Sequence, residues 1–444
     1  MAKMQSPGSE SPWPSSGTAW YMVIILTLAY VLSFIDRVVI GLLAGPIRAD
    51  LGISDTQLSL LYGFTFAFFY TAVGIPIAWA IDRFHRRNII VVGVAVWSFM
   101  TAVCGVARGY WELAAARIGV AVGEAALSPA AYSMAGDSFP QQKLGRALSV
   151  FLIGLPLGVG LALVIGGQVV GWAMQQSAHV LPLFGVVKSW QLTFIAVGIP
   201  GLFLALLILT VREPLRRDAG QSNLGASMTD TLRFMAARWR PYAGLILGFS
   251  VLGMVMNVTQ IWGVQYFVRE LKLSLPEAGT RVGLVLGICG TLGVLAGGWL
   301  TDRWHSAGKL DATLRVGLTG ALCLIPFAST CTLAGEVTLS TLLLLPIGVF
   351  TAFAFGAGAT AIVVLTPPAM RAQAAAIYLW FVNMIGIGLA PFLTARLTDS
   401  VFADDLAVGK SSAIVMGAAA LVAAAIFTWS LPHFRAEIAS RKSK

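Results

Sequence analysis

The chain has 444 residues, 57% of them hydrophobic and 11% charged, with a formal net charge of +10. Soluble domains carry about 25% charged residues, so a water-covered globular protein of this size is excluded and the main solvent is lipid. The surplus of Lys and Arg lies in loops and tails, which reads as a topology signal and makes nucleic acid a poor partner.

The first residues, MAKMQSPGSESPWPSSG, are polar and rich in Pro and Ser, so 1–19 is expected to be a disordered cytoplasmic tail without a cleavable signal. A helix needs roughly 20 apolar residues to cross the bilayer core. That ruler predicts an N-terminal bundle over 20–212, with spans at 20–44, 57–81, 88–107, 111–136, 145–171 and 191–211. A cytoplasmic linker over 213–240 follows. Within it Leu224, Met228, Leu232, Met235 and Trp239 recur at helical spacing, which predicts an interfacial helix or a plain tether. The C-terminal bundle occupies 241–432, with spans at 242–267, 280–300, 312–332, 338–365, 372–397 and 411–431, before a basic cytoplasmic tail over 433–444. With the N-terminus inside, about 20 Lys and Arg fall on the cytoplasmic side and about 8 outside, so both termini are expected in the cytoplasm.

The four cysteines fall in apolar stretches and the four histidines in predicted loops or helix ends. Neither disulfides, nor a metal, nor a His-based active site is expected.

The chain repeats itself. AWAIDRFHRR (78–87) follows the second span and GWLTDRWHSAGK (298–309) follows the eighth, which sets Asp82-Arg83 and Asp302-Arg303 220 residues apart. Duplication of a six-helix unit places a substrate site at the interface between halves. Here the sequence resembles the major facilitator superfamily, whose signature after the second helix is G-x-L-x-D-R-x-G-R-R/K. The first copy has Ala78 and His85 for the two glycines but keeps Asp82, Arg83, Arg86 and Arg87; the second keeps Gly298, Leu300, Asp302 and Arg303 and lacks the final basic pair. The resemblance implies an all-α membrane protein of twelve transmembrane helices in two pseudo-symmetric six-helix bundles. Carboxylates beside basic side chains and helix ends make these six charged residues candidates for a conformational latch. The plainer reading is that they anchor the loops inside.

Ionisable residues inside a membrane are costly and mark function by default. The first half has four: Asp36 and Arg37 in the first span, Arg117 and Glu124 in the fourth. At 1.5 Å per residue, Asp36 and Arg117 come to nearly the same depth, with Glu124 about two turns further along the same face. A carboxylate near a cation titrates low and one without its partner titrates high, so exchange of partners binds and releases a proton. Asp36 and Glu124 are therefore candidate proton-coupling acids. Arg37 and Arg117 are candidate counter-ions, Arg117 also for an anionic head group. The competing reading is an ion-pair network that only fixes helix packing. In the second half Asn257, Gln260, Trp262, Tyr378 and Asn383 are candidates for a pocket wall. The glycines of GLPLGVG (154–160) and of the eighth span read as packing and hinge positions.

Within the superfamily the first half is similar to the Spinster-like transporters, through SFIDRVVIGLLAGPI, DRFHRR, VWSFMTAVCG, RIGVAVGEAALSPAAYSMAGDSFP, RALSVFLIGLPLGVG and WQLTFIAVGIPGLFLALLILTVREPLR. That resemblance implies a carrier of amphiphilic lipids such as lysophospholipids or sphingosine phosphate, with Asp36, Arg37, Arg117 and Glu124 as its charged set. No GxxxxGK[ST] occurs, which argues against an ATP-driven pump, and no enzyme constellation is visible. The expected function is proton-coupled secondary transport by alternating access, with the proton as coupling ion and no cofactor. A drug or organic-anion transporter of the same fold and an uncoupled lipid scramblase are the alternatives. The expected partners are a small amphiphilic or anionic substrate and the bilayer, with the chain a monomer in a bacterial inner membrane.

Overall fold

Lipid offers the backbone no hydrogen bonds, so each span must satisfy its own amides, and long apolar runs do so as helices. The computed structural model describes residues 13–175, 178–181, 185–216, 227–367 and 370–442. Among these, twelve helices are long and apolar enough to cross a membrane. The first half holds α1 (Ser16–Leu42), α2 (Asp55–Arg83), α3 (Arg86–Cys104), α4 (Tyr110–Ser138), α5 (Lys143–Ala173) and α6 (Ser189–Ile208). The second holds α7 (Trp239–Arg269), α8 (Leu275–Ser306), α9 (Ala312–Leu333), α10 (Val337–Leu365), α11 (Gln373–Phe402) and α12 (Asp405–Ser440).

The start of α1 lies beside the end of α6 through Tyr21 and Thr210, and the start of α7 beside the end of α12 through Arg238 and Glu437; this side is here the linker face and the opposite side the far face. On the far face a short helix (Ala44–Leu51) joins α1 to α2, and a hairpin of β1 (Ala178–Leu181) and β2 (Gly185–Lys188) joins α5 to α6. Asp50 ties the two together, its carboxylate accepting from Lys188 Nζ and, at 2.9 Å, from Trp190 Nε1.

Several expected boundaries change. Ser15 caps α1 through its hydroxyl, so residues 16–19 belong to the first helix, not to a tail. The basic segment 433–444 is helical through Lys442, because no helix breaker follows Pro432 and Arg435 is pinned to Asp311 at 2.7 Å. In the linker a helix forms over Met228–Ala237, capped by Ser227; it buries Thr231 and Met235 and exposes Leu232. Residues 1–12 of the expected tail, Leu224 of the expected interfacial segment and Lys444 lie outside the described residues.

The 220-residue repeat runs the full length of α2 and α8. Each opens with a capping box, Ser54 with Gln57 and Ser274 with Glu277, in which hydroxyl and N3 side chain exchange hydrogen bonds with the backbone. Each closes with an arginine over a tryptophan, Arg83 on Trp79 at 4.1 Å and Arg303 on Trp299 at 5.3 Å. Between them, Gly63 and Gly283 occupy matching positions, and both lie against the other half. A Cβ on Gly63 would stand 2.5 Å from the Ile387 carbonyl of α11; one on Gly283 would stand 2.7 Å from the Gly160 carbonyl of α5. Only glycine admits backbones that close. π-helical turns at Leu60–Thr65, Val285–Cys289 and Val382–Leu389 lie at or beside these crossings and adjust helix register there.

Ion pairs complete the far-face closure. Asp55, with no exposed side-chain area, takes both Arg269 guanidinium NH groups at 2.6 and 2.9 Å and lies 3.2 Å from Arg48 Nε. Arg48 also donates to Asp405, and Asp399 of α11 accepts from the Thr56 amide and hydroxyl at 2.6 Å each, capping the start of α2 from the other half. Gln265 donates to the Gly41 carbonyl at 2.9 Å. Towards the linker face the halves part, leaving Ile75 and Trp79 of α2 and Leu295 and Trp299 of α8 exposed.

Two outcomes test this closure. Gly283→Val overpacks the α5–α8 crossing by about 1–3 kcal/mol. In a background lacking the native cysteines, a reporter cysteine at Thr280 is then expected to label faster from the far face; unchanged labelling and melting temperature would mean the crossing is not packed this way. Asp55→Asn strands Arg269, and breaking a buried pair costs about 3–5 kcal/mol. Amide exchange at the start of α2 and the end of α11 should accelerate, with partial recovery when Asp55→Arg is combined with Arg269→Asp. Equal protection in the single variant would remove the pair from the closure.

Candidate functional site

The four intramembrane charges converge inside the first half. Neighbouring residues on a helix point about 100° apart, so Asp36 and Arg37 leave α1 in different directions. Arg37 Nε meets Glu124 Oε2 of α4 at 2.5 Å. Its guanidinium is ringed by Phe34 at 5.1 Å, Phe66 at 5.1 Å and Tyr70 at 4.7 Å, an aromatic cage that stabilises a partly desolvated cation. Phe66 and Tyr70 stand one turn apart directly after the π-helical turn of α2. Arg117 is fully buried against Phe66 and donates to the backbone carbonyl of Asp36 at 3.2 Å, leaving that residue's carboxylate. The Asp36 carboxyl faces Thr101 of α3.

Two acids and two bases thus share one site, as pairs and not as a closed network. Asp36 Oδ1, Glu124 Oε1, Arg117 Nε and Thr101 Oγ1 are buried without hydrogen-bond partners. Exposure separates the roles. Arg37 retains 16% of its side-chain exposure, whereas Glu124 has none, Arg117 is sealed and Asp36 is 1% exposed. Arg117 therefore cannot meet a head group in this conformation; Arg37 is the reachable cation. The chain bends just past Glu124, at Ala125–Ala126, because Pro129 has no N–H for the Ala125 carbonyl.

The second half offers an apolar wall. A narrow cleft between the halves is lined by Pro156 of α5, Met256 of α7, Val294 of α8 and Thr351 and Ala352 of α10. The candidate pocket residues do not share one surface. Asn383 reaches across to Thr71 of α2 at 3.4 Å, and Asn257 is half-buried, donating to the Gly253 carbonyl. Gln260 is buried, Trp262 is sealed and donates to the Pro391 carbonyl at 3.1 Å, and Tyr378 is buried with its hydroxyl against Gly358. Trp262 and Tyr378 are thus enclosed in this conformation, the indole N–H held by the Pro391 carbonyl of the same half and the phenol covered at Gly358.

The six candidate latch residues divide likewise. Arg86 is buried and bonded to Asp137 of α4, to Glu213 at 2.8 Å and to Ser133 at 2.9 Å; the Arg87 amide donates to Glu213 at 2.8 Å. These two are anchors within the first half. Asp82, Arg83, Asp302 and Arg303 are exposed and, among the described residues, make no ion pair across the halves, because the halves are apart at this face. The second half carries the anchor with its charges reversed. Asp311 of the α8–α9 loop accepts from Arg315 at 2.8 Å and from Arg435 of α12. Burial works against that carboxylate, but the two arginines hold its pKa below the ordinary value.

Residue spacing did not reveal the aromatic cage, Thr101 or the far-face charges. Asp55, Asp399 and Asp405 lie with carboxylate oxygens within 4.8 Å of one another, and Arg48 and Arg269 supply the counter-charge. The signal for the cage was its helical spacing, Phe66 to Tyr70 on α2, opposite the ion pair.

The comparisons agree with this architecture. The family model for the Major Facilitator Superfamily matches residues 26–391. A protein of Mycolicibacterium smegmatis described as an MFS-type efflux pump is 28% identical over 95% of this chain and 94% of its own. The mouse sphingosine-1-phosphate transporter SPNS2 is 27% identical over 85% of this chain and 69% of its own. The crystal structure of a bacterial homologue of the human lysosomal transporter Spinster, inward-facing and unoccupied, superposes with a TM-score of 0.78 at 26% identity, covering 96% of this chain and 98% of that one. A chain with twelve helices able to span a membrane among its described residues, a duplicated α2–α8 and a family match over residues 26–391 belongs to the major facilitator superfamily and is similar to its Spinster members.

Proposed function

We propose that this transporter is proton-coupled and carries anionic amphiphiles by alternating access, with the linker face in the cytoplasm of a bacterial inner membrane. The observation that carries the reading is the buried Arg37–Glu124 pair, of which only the cation is reachable, beside the enclosed Asp36 carboxyl. An anionic head group entering the cleft competes with Glu124 for Arg37. Once Arg37 turns to the substrate, Glu124 loses its directly bonded counter-ion in a low-dielectric site, which favours uptake of a proton. Substrate and proton are thereby linked through one guanidinium. Asp36 shares the site through Arg117, which touches its backbone, and exchanges its proton as α1 and α4 shift.

For the substrate's apolar part the second half offers the wall of Met256, Val294 and Ala352, which faces Pro156 of the first half across a cleft that would have to widen. A partly exposed guanidinium in the first half and an apolar wall in the second suit a lysophospholipid or sphingosine phosphate-like molecule, and the mouse relative is named for sphingosine-1-phosphate. The preponderance of Lys and Arg on the linker face supports its cytoplasmic orientation. In that orientation the described conformation opens inward. Closure of this face would bring Asp82 and Asp302 towards the other half as the Asp55–Arg269 pair parts. Export of amphiphilic drugs is a second reading, favoured by the mycobacterial efflux relative.

Purified protein in liposomes under an imposed pH gradient tests the proposal. Gradient-driven lysophospholipid movement is expected from the unmodified chain and is expected to be lost in Asp36→Asn and Glu124→Gln. Arg37→Ala should weaken binding by about 10- to 100-fold, the loss of one charge-assisted hydrogen bond. Lipid flux indifferent to the gradient and to both acid variants would replace the carrier with a scramblase. Movement of amphiphilic drugs without lipid would favour the second reading.

A further inference from the structure

On the exposed flank of the first half marked by Val92, a groove of about 490 Å³ opens between α2, α3 and α4, with none of the four buried charges in its lining. Its walls are Ile77 of α2, Ile89, Val92 and Val96 of α3, and Val122 of α4. Its floor is the α3–α4 crossing, where a Cβ on Gly93 would stand 2.7 Å from the Gly123 carbonyl, so the backbones themselves close the bottom. From Asn88 to Val96 the groove climbs eight residues, about 12 Å at 1.5 Å per residue. That is most of one leaflet of a core about 30 Å thick.

The polar end lies only at the linker face. His85 and Asn88 line the mouth and are exposed. Arg87 holds the Asn88 side-chain oxygen through its Nε at 3.1 Å and its Nη2 at 3.0 Å, which leaves the Asn88 amide NH₂ to donate elsewhere. Among the described residues neither the Arg87 nor the neighbouring Arg83 guanidinium has a carboxylate partner, while Asp137 and Glu213 are turned onto Arg86. Asp82 is the opposing acid at this edge, so the local balance favours an anion.

We infer that this groove is a binding site for one acyl chain of an anionic phospholipid of the surrounding leaflet, its phosphate held at His85 and Asn88 beside Arg87. Apolar lining along the depth of a leaflet, a polar mouth at head-group level and unneutralised arginines there match that molecule in order. The site is separate from the substrate cleft, and only the naming of its leaflet as cytoplasmic rests on the orientation proposed above. Its floor is one residue from Glu124, so an occupying chain braces the segment of α4 that carries the buried acid.

The test uses the full chain in phosphatidylcholine vesicles containing phosphatidylglycerol with a photoreactive group on its acyl chain. Crosslinks are expected at Val92, Val96 or Val122, and native mass spectrometry should show one retained phosphatidylglycerol with about tenfold preference over phosphatidylcholine. Val92→Trp and Ile89→Trp fill the groove from its lipid-facing wall, where a folded bundle is expected to persist, and should abolish both signals. His85→Glu should keep the crosslink and lose the head-group preference. Crosslinks confined to other helices, or undiminished retention in both tryptophan variants, would overturn the site. Equal retention of the two lipids would overturn its anionic character. Displacement of the crosslink by a transported lysophospholipid, with transport following occupancy, would make the groove part of the substrate path and overturn the resident lipid.

Discussion

Two glycine crossings hold the halves together, and most of the architecture follows from what they permit. Apolar side chains gain nothing by leaving lipid for each other, so helices in a membrane associate through close backbone approach and hydrogen bonds. Gly63 against Ile387 and Gly160 against Gly283 provide that approach at matching places in the two halves. Both lie towards the far face, as do Asp55–Arg269, Arg48–Asp405 and the Asp399 cap on α2. With adhesion gathered on one side, the other is free to separate, and the halves part towards the linker face.

The halves share a scaffold but not a chemistry. In the first, four ionisable groups sit inside the bundle; in the second, the facing wall is apolar. Desolvating two acids and two guanidiniums costs several kcal/mol per ion, offset only where pairing is close. Arg37 with Glu124 meets that condition, and the Phe34, Phe66 and Tyr70 rings support the cation from the open side. Asp36 does not, since its carboxyl faces Thr101 while Arg117 takes its carbonyl. A site built for packing alone would be better served by hydrophobic residues of equal volume. Unequal pairing within one cluster is what a partner-exchange mechanism needs.

Much of the fold was legible in the sequence because one solvent constraint governs all of it: twenty apolar residues in lipid must be a helix. The twelve spans and the two halves came from that rule and the Asp82/Asp302 repeat. The helix ends did not, because hydropathy fades where capping decides. Ser15 starts α1 before the first apolar run, and α12 persists past Pro432 through Arg435 on Asp311. Asp36, Arg37, Arg117 and Glu124 were legible because charge within an apolar run has few cheap explanations. Asp55 and Arg269 were not, because charge at a helix end is ordinary and their partnership spans 214 residues. For the second half, uncharged polar residues gave no comparable signal: Trp262 and Tyr378 turned inward, and only tertiary packing distinguishes them from Asn383.

The reversed anchors extend this reasoning to the linker face. Arg86 joins the α2–α3 loop to α4 and to the residues after α6 through two acids; Asp311 joins the α8–α9 loop to α9 and α12 through two arginines. Both anchors stand at the start of the third helix of their half, with opposite sign and with different partners. Each anchor stays within its own bundle, and Asp82 and Asp302, left exposed at the ends of α2 and α8, remain available for contacts between halves. Rigid bundles with a separable seam are what the proposed alternating access requires, and the ion pairs of each anchor lie within one bundle and leave the seam free.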